Sequence, residues 1–302
     1  MIPSRRHRLA MWCAAATGIQ VGAAIVATRA VVDDIDPVPL TFLRYLVGAC
    51  VLAPFVSRAG TWRFTARDLP PIAALGLVQF GLLIVLLTVG LKTVPAAPGA
   101  LVFATSPLFA LALGIGLGRE RWSAGKAAGI GLALAGLAIV LGPSVARLSG
   151  SALGYLAIAG AAGCAAIASV WSRPYVRRYG TLPVSAVAMA VTVAVLAVPA
   201  LGGGVFNDLA GFSARDVAAV LFLGIGSGIG YVMWLYALKS IAASAVTSYL
   251  MLGPVTALLL GALFLDEPLS VWAAVGTVVL AGGLWLTTRP SDAVSGGEVR
   301  IR

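Results

Sequence analysis

Charge is scarce in this chain of 302 residues: only 11% are Asp, Glu, Lys or Arg, where soluble domains carry roughly 25%. Acid is scarcer than base, with 11 acidic residues against 21 basic ones and a formal charge of +10. His7, the one histidine, precedes the first apolar run, and no Asp or Glu falls mid-run. A carboxylate or histidine proton relay at membrane depth therefore has no carrier, which favours a facilitator or a substrate-coupled exchanger over a proton-driven pump. Cys13, Cys50 and Cys164 lie scattered inside apolar runs, where a thiol behaves as a small hydrophobe. They form neither a disulfide framework nor a metal site, and no cofactor is expected. A nucleophile with a base, or a ligand set at one depth, is also missing, which argues against an intramembrane enzyme.

Apolar residues are what the chain has, at 60% of the total and with a mean hydropathy of +1.00, so it is read as an integral membrane protein. In a soluble protein its charge would suggest nucleic acid. Here the basic residues sit in short clusters between apolar runs rather than on one face, so they report topology, and no nucleic-acid partner is expected. Arg5-Arg6-His7-Arg8 before an apolar run has the outline of a signal peptide. The run from Leu9 to Val32 is nevertheless long enough to span, and Gly18-Ile19-Gln20 is a poor end for a cleaved segment.

Charge, proline and glycine divide the chain into ten runs, near 9–32, 38–57, 69–90, 97–118, 123–142, 151–171, 182–201, 214–237, 242–264 and 270–288. Each is about 20 residues long, enough for a hydrocarbon core of ~30 Å. Lys and Arg gather on the cytoplasmic side of membrane proteins. Alternating the runs places 16 of the 21 basic residues on one side, against Arg29, Lys92, Arg147 and Arg215 on the other, with Arg44 inside the second run. Both termini and a short tail, 289–302, are therefore expected in the cytoplasm.

One pattern occurs twice. Leu91-Lys92-Thr93, Pro107, Glu120, Gly129 and Gly136 recur as Leu238-Lys239-Ser240, Pro254, Glu267, Gly276 and Gly283, each pair 147 residues apart (238 − 91 = 147). Five helices per repeat is an odd number, so the second repeat enters the membrane from the opposite side. The charges agree, since Lys92 falls on the outer side and Lys239 on the inner. The expected fold is thus an all-α integral membrane protein with ten transmembrane helices as two inverted five-helix repeats, at 9–142 and 151–288. Such halves suit alternating access to a midplane site, and two in one chain should function as a monomer.

Leu91-Lys92 followed by Pro95-Ala96, Leu238-Lys239 followed by Ala242-Ala243, the mid-run Pro107-Leu108 and Pro254-Val255, the acidic residues Glu120 and Glu267 and the glycine-rich last helices together resemble the EamA domain of the drug/metabolite transporter superfamily. The resemblance covers nearly the whole chain. It implies a carrier of small organic solutes, usually outward, in a prokaryotic inner membrane, and members that export amino acids, aromatic ones included, are close in character.

Pro107 and Pro254 each remove a helical hydrogen bond mid-run and are expected to kink their helices as hinges near a cavity. Glu120 and Glu267 are read as gate or helix-end residues pairing with basic neighbours such as Arg119 and Arg121. Gln20 and Gln79 need partners for a side-chain amide in hydrocarbon. They join Thr17, Ser106 and Ser248 as candidate substrate contacts, the alternative being polar contact between helices. Tyr231, Trp234 and Tyr249 form a candidate aromatic wall, with Phe80 and Phe103 as additions, while most tryptophans suit the interfacial belt. Arg44 either attracts an anionic group such as a substrate carboxylate or turns outward to Asp33, Asp34 or Asp36, and its depth, about six residues at ~1.5 Å each, favours the outward turn. Gly224-Ile225-Gly226-Ser227-Gly228-Ile229-Gly230 is a close-packing face rather than a phosphate loop. The expected partners are the bilayer and a small solute. Amino acids are favoured over drugs, sugars or other neutral metabolites, because nucleotide-sugars would need several cations. A channel or a structural membrane protein is the remote alternative.

Overall fold

The computed structural model describes residues 5–58, 63–118, 123–145, 152–203, 205, 211–240, 249–250, 252–267 and 271–288. Apolar sequence leaves the backbone one route in lipid, because each N–H and C=O must find its partner within the protein. Ten helices result among the described residues: α1 (Arg5–Val31), α2 (Pro37–Arg58), α3 (Ala66–Leu91), α4 (Ala96–Gly116), α5 (Ala124–Val145), α6 (Ala152–Tyr179), α7 (Thr181–Gly202), α8 (Ala214–Ser240), α9 (Leu252–Phe264) and α10 (Val271–Thr288). Seven, α1 to α4 and α6 to α8, are long and apolar enough to cross a membrane. The other three contribute the shorter apolar stretches Ala124–Ile139, Leu252–Phe264 and Val271–Gly283.

Packing follows the repeat. α1 lies against α8 as α3 lies against α6; α2 meets α8 as α3 meets α7; α1 meets α9 as α4 meets α6. Exchanging the two repeats converts each contact into its counterpart, while α2 with α7, α4 with α9 and α5 with α10 are their own counterparts. Alternation of the helices puts the starts of α1, α3, α5 and α7 at one end, called here the basic end after its arginines, and the starts of α2, α4, α6, α8 and α10 at the opposite end.

Small residues set the closest approaches. A Cβ on Gly22 would collide with the Gly253 carbonyl, and one on Gly283 would run into the Ala133 backbone and lie 2.7 Å from the Gly129 oxygen. Gly136 meets the Gly276 oxygen in the same way, at 2.8 Å. Gly125, one turn before Gly129, differs: a Cβ there would meet nothing within 4 Å. Large apolar side chains such as Leu134, Val278 and Trp285 face outward, as a lipid-facing surface requires.

Hydroxyls inside the helices are satisfied locally: Thr17, Thr28, Thr88, Ser169, Thr192 and Thr277 each donate to the carbonyl four residues earlier. At the start of α8 a capping box closes, with the Ser213 N–H and hydroxyl donating to Asp216 Oδ2 at 2.8 and 2.7 Å and the Asp216 N–H donating to Ser213 Oγ at 3.2 Å.

Two expectations change. Pro107 is not inside a kinked helix: α4 breaks at Ala104 and Thr105 and resumes at Ser106, leaving Pro107 in the first turn of the second segment, where its missing N–H costs nothing. Pro254 likewise sits in the first turn of α9. The sixth run, expected to end near 171, continues through Pro174 to Tyr179 and stops at Gly180, whose φ of 86° suits a glycine. Its added turns are held by the start of α3. Arg178 Nη1 lies 2.8 Å from Asp68 Oδ2, the Tyr179 hydroxyl donates to the same oxygen, and the Tyr179 and Phe64 rings are 4.7 Å apart.

Overpacking a tight contact typically costs about 1–3 kcal/mol. Gly283→Ala and Gly136→Ala should each lower the apparent melting temperature of the purified protein by several degrees, while Gly125→Ala leaves it unchanged. Equal melting of all three would contradict close packing of α5 on α10.

Candidate functional site

Midway along α3 the helix widens into a π turn over Leu77–Leu82. Insertions of this kind re-aim side chains and recur at functional positions. Here the widened turn carries Gln79 and Phe80 into the middle of the bundle, where they line a cleft of about 20 Å³, little more than the cavity needed to hold one water. Ile72, Ser172, Tyr175 and Tyr231 share the rest of its wall with small and aliphatic residues. Because Ser172 and Tyr175 belong to the last turns of α6 and Ile72 to the early part of α3, the cleft points towards the basic end.

An aromatic layer forms its inner boundary. Phe80 packs 5.0 Å from Tyr45 and 4.8 Å from Tyr231, the latter edge-on at 74°. Such pairs contribute about 0.5–1.5 kcal/mol each beyond area burial, so the layer is cohesive without being fixed. The expected wall of Tyr231, Trp234 and Tyr249 is therefore corrected. Tyr231 is in the layer with Phe80 and Tyr45, whereas Trp234 and Tyr249 pack apart from it, around Cys13, Ala14 and Ala237. The cause is helical phase, since Trp234 lies three residues on from Tyr231 and faces α1. Phe103, like Tyr231, packs against the main core.

Beyond the layer lies Arg44, 8% exposed. The outward turn to Asp33, Asp34 or Asp36 is not made. Asp33 is paired with Arg29 at 2.8 Å and Asp36 with Lys92 at 2.9 Å, while Arg44 Nε donates to Ser227 Oγ at 2.6 Å. Glycine explains the inward turn. Gly48 approaches Gly224, and a Cβ on Gly228 would lie 3.0 Å from the Gly48 oxygen, so α2 and α8 come close enough for Ser227 to be reached. Ser227 in turn donates to the Leu223 carbonyl at 2.7 Å, and the guanidinium carbon stands 5.8 Å from the Tyr45 ring centroid.

Gln20 lies on the α1 side of the same stretch of α8, where a Cβ on Gly226 would come 2.7 Å from its Nε2 and one on Gly230 would come 3.0 Å from its Oε1. Its Nε2 is buried without a hydrogen-bond partner. Thr17 donates to Cys13 O at 2.8 Å and reaches the Gly230 carbonyl at 3.5 Å, so it acts first on its own helix. Ser106 is buried at the α4 break, away from the cleft lining. Ser248 and Glu120 lie outside the described residues.

Glu267 accepts from the backbone N–H groups of Ala96 and Ala97, at 2.7 and 3.4 Å. Among the described residues it meets no basic partner of the kind expected. The first amides of a helix have no intrahelical acceptor and present partial positive charge, so a carboxylate at the end of α9 completes the start of α4 in the other repeat. This contact fastens the two repeats at the end opposite the cleft, where the Lys92–Asp36 pair also joins the start of α2 to the end of α3 within the first repeat.

The profile of the EamA-like transporter family matches residues 8–142 and again 152–289. The chain belongs to the EamA-like transporter family. Among EamA-like relatives, a "probable terminal-alkyne amino-acid exporter" of Streptantibioticus cattleyicolor is 32% identical over 286 residues, covering 93% of each chain. An uncharacterized transporter of Archaeoglobus fulgidus is 27% identical over 89% of this chain and 94% of its own, and the inner membrane transporter YedA of Escherichia coli K12 is 29% identical over 86% and 85%. A solved crystal structure at 23% identity superposes with a TM-score of 0.65 over 91% of this chain and 98% of its own, which shows the shared fold.

Tyr45, Ser172 and Tyr175 were not candidates in the sequence. Tyr45 had only its position beside Arg44 to mark it, and nothing in the residue pattern signals the π turn.

Replacing a helix-capping group by alanine costs about 0.5–2 kcal/mol. Glu267→Ala should therefore lower thermal stability by a few degrees and Glu267→Gln by less, read by melting of the purified protein. A Glu267→Ala protein that melts like the original would mean that the carboxylate does not hold the start of α4.

Proposed function

We propose that this transporter exports amino acids or closely similar small metabolites across a prokaryotic inner membrane by alternating access between its two repeats. The observation that carries the reading is the asymmetry of the bundle: a cleft points to the basic end while Glu267, Ala96, Lys92 and Asp36 fasten the opposite end. With the basic end in the cytoplasm, this is the conformation that accepts solute from inside. Solute enters beside Gln79, meets the Phe80–Tyr231 face, and passes when the aromatic layer parts and the Glu267 contact releases. By the 147-residue correspondence, Glu120 is the counterpart of Glu267 and takes its role at the basic end in the alternate state. The S. cattleyicolor relative, named as an amino-acid exporter, supports the solute class. The break before Pro107 serves as a hinge, since bending there costs few hydrogen bonds, and by the repeat Pro254 marks the counterpart position.

A second reading, a neutral solute such as a sugar or drug, is favoured by one feature: no charged side chain lines the cleft. Counterflow of a labelled amino-acid panel into proteoliposomes separates the two. Saturable counterflow without an imposed proton gradient, reduced several-fold by Gln79→Ala, is expected. Counterflow of sugars or drugs alone would move the assignment to neutral solutes.

A further inference from the structure

We propose that Arg44 and Ser227 form a carboxylate-binding site behind the aromatic layer, so that the solutes carried are organic acids or zwitterions; this rests on the transport reading above. A guanidinium removed from water costs several kcal/mol unless an anion and a full set of acceptors compensate it. Arg44 is buried between α2 and α8, yet no carboxylate among the described residues lies within pairing distance, and its one hydrogen-bond partner is neutral. Ring contact with Tyr45 recovers only part of the cost.

The geometry states what is missing. Nε is fixed by Ser227, whose own proton is committed to the Leu223 carbonyl, so the hydroxyl can only accept from Arg44 and holds the guanidinium plane in place. The remaining N–H groups, on Nη1 and Nη2, have no acceptor among the described residues. They form a planar fork whose spacing matches the two oxygens of a carboxylate. Independently, the Gln20 amide nitrogen is buried without an acceptor against Gly226 and Gly230, the residues flanking Ser227 on α8. Two groups rich in donors, both short of acceptors, thus converge on one stretch of α8. Tyr45 links this stretch to the cleft, since the ring that covers the guanidinium also packs on Phe80. A solute that crosses the layer therefore finds its counter-charge immediately beyond it.

The test is a binding measurement separate from transport. Thermal unfolding of the full-length purified protein is followed with acetate, L-norvaline and L-phenylalanine, with the corresponding amides, and in chloride or gluconate buffer. The acids should stabilise the protein at concentrations at least about tenfold lower than their amides, a difference of about 1.4 kcal/mol. Arg44→Gln should abolish the preference, Arg44→Lys weaken it and Ser227→Ala reduce it. Without ligand, Arg44→Gln should melt no lower than the original, since it removes an uncompensated buried cation. The proposal is overturned by equal response to acids and amides in the original protein, by an acid preference that survives Arg44→Gln, or by stabilisation from chloride that the carboxylates do not displace. Neutral-solute counterflow unaffected by Arg44→Gln would likewise sink it while leaving the transporter standing, whereas an acid preference without counterflow of any solute would uphold the site and count against transport.

Discussion

Inside a bilayer no water completes a hydrogen bond that the protein leaves open. Apolar sequence makes helices, and their hydroxyls fold back onto the preceding turn. Where the backbone must break, as before Pro107, the break is placed at a helix start, where N–H groups lack acceptors in any case. Two carboxylates serve helix starts: Asp216 closes a capping box on α8, and Glu267 crosses from the end of α9 to the first amides of α4. Against this strict pairing, the groups left short of partners stand out. Gln20 and Arg44 are such groups, and both touch the same stretch of α8.

The same constraint acts through the repeat. Because the main inter-helix contacts have counterparts in the other repeat, exchanging the roles of the two halves would call for few new packing surfaces. The α5–α10 pair, tightly joined through Gly136, Gly276 and Gly283, is its own counterpart and suits a fixed support. What departs from symmetry is the state of the ends: the cleft beside α6 and α3 at one, and the Glu267 and Lys92 contacts at the other.

Much of this was legible in the sequence, for identifiable reasons. Run length defines the spans because bilayer thickness is fixed, and the duplicated Leu-Lys, Pro and Glu positions reveal the repeat because both halves solve the same problem. Gln79 was recognisable as an amide with nowhere else to go. The aromatic layer was not, because whether Trp234 or Tyr45 faces Phe80 depends on helical phase and on a π turn that no local residue pattern announces. Arg44 was misjudged for a related reason. Depth alone suggests an outward turn, but the glycines of α2 and α8 bring Ser227 within reach, and the nearby aspartates already have Arg29 and Lys92.

Alternation between two equivalent halves is tested most directly by distances at both ends of one molecule. Spin labels at Arg67 and Arg177 report the basic end, and labels at Asp34 and Asp266 the opposite end. On adding the amino acid that drives counterflow, the first distance should shorten as the second lengthens, with the two populations changing in step. Distances that stay fixed at both ends, or that grow together, would contradict alternating access and leave the cleft a static feature of the fold.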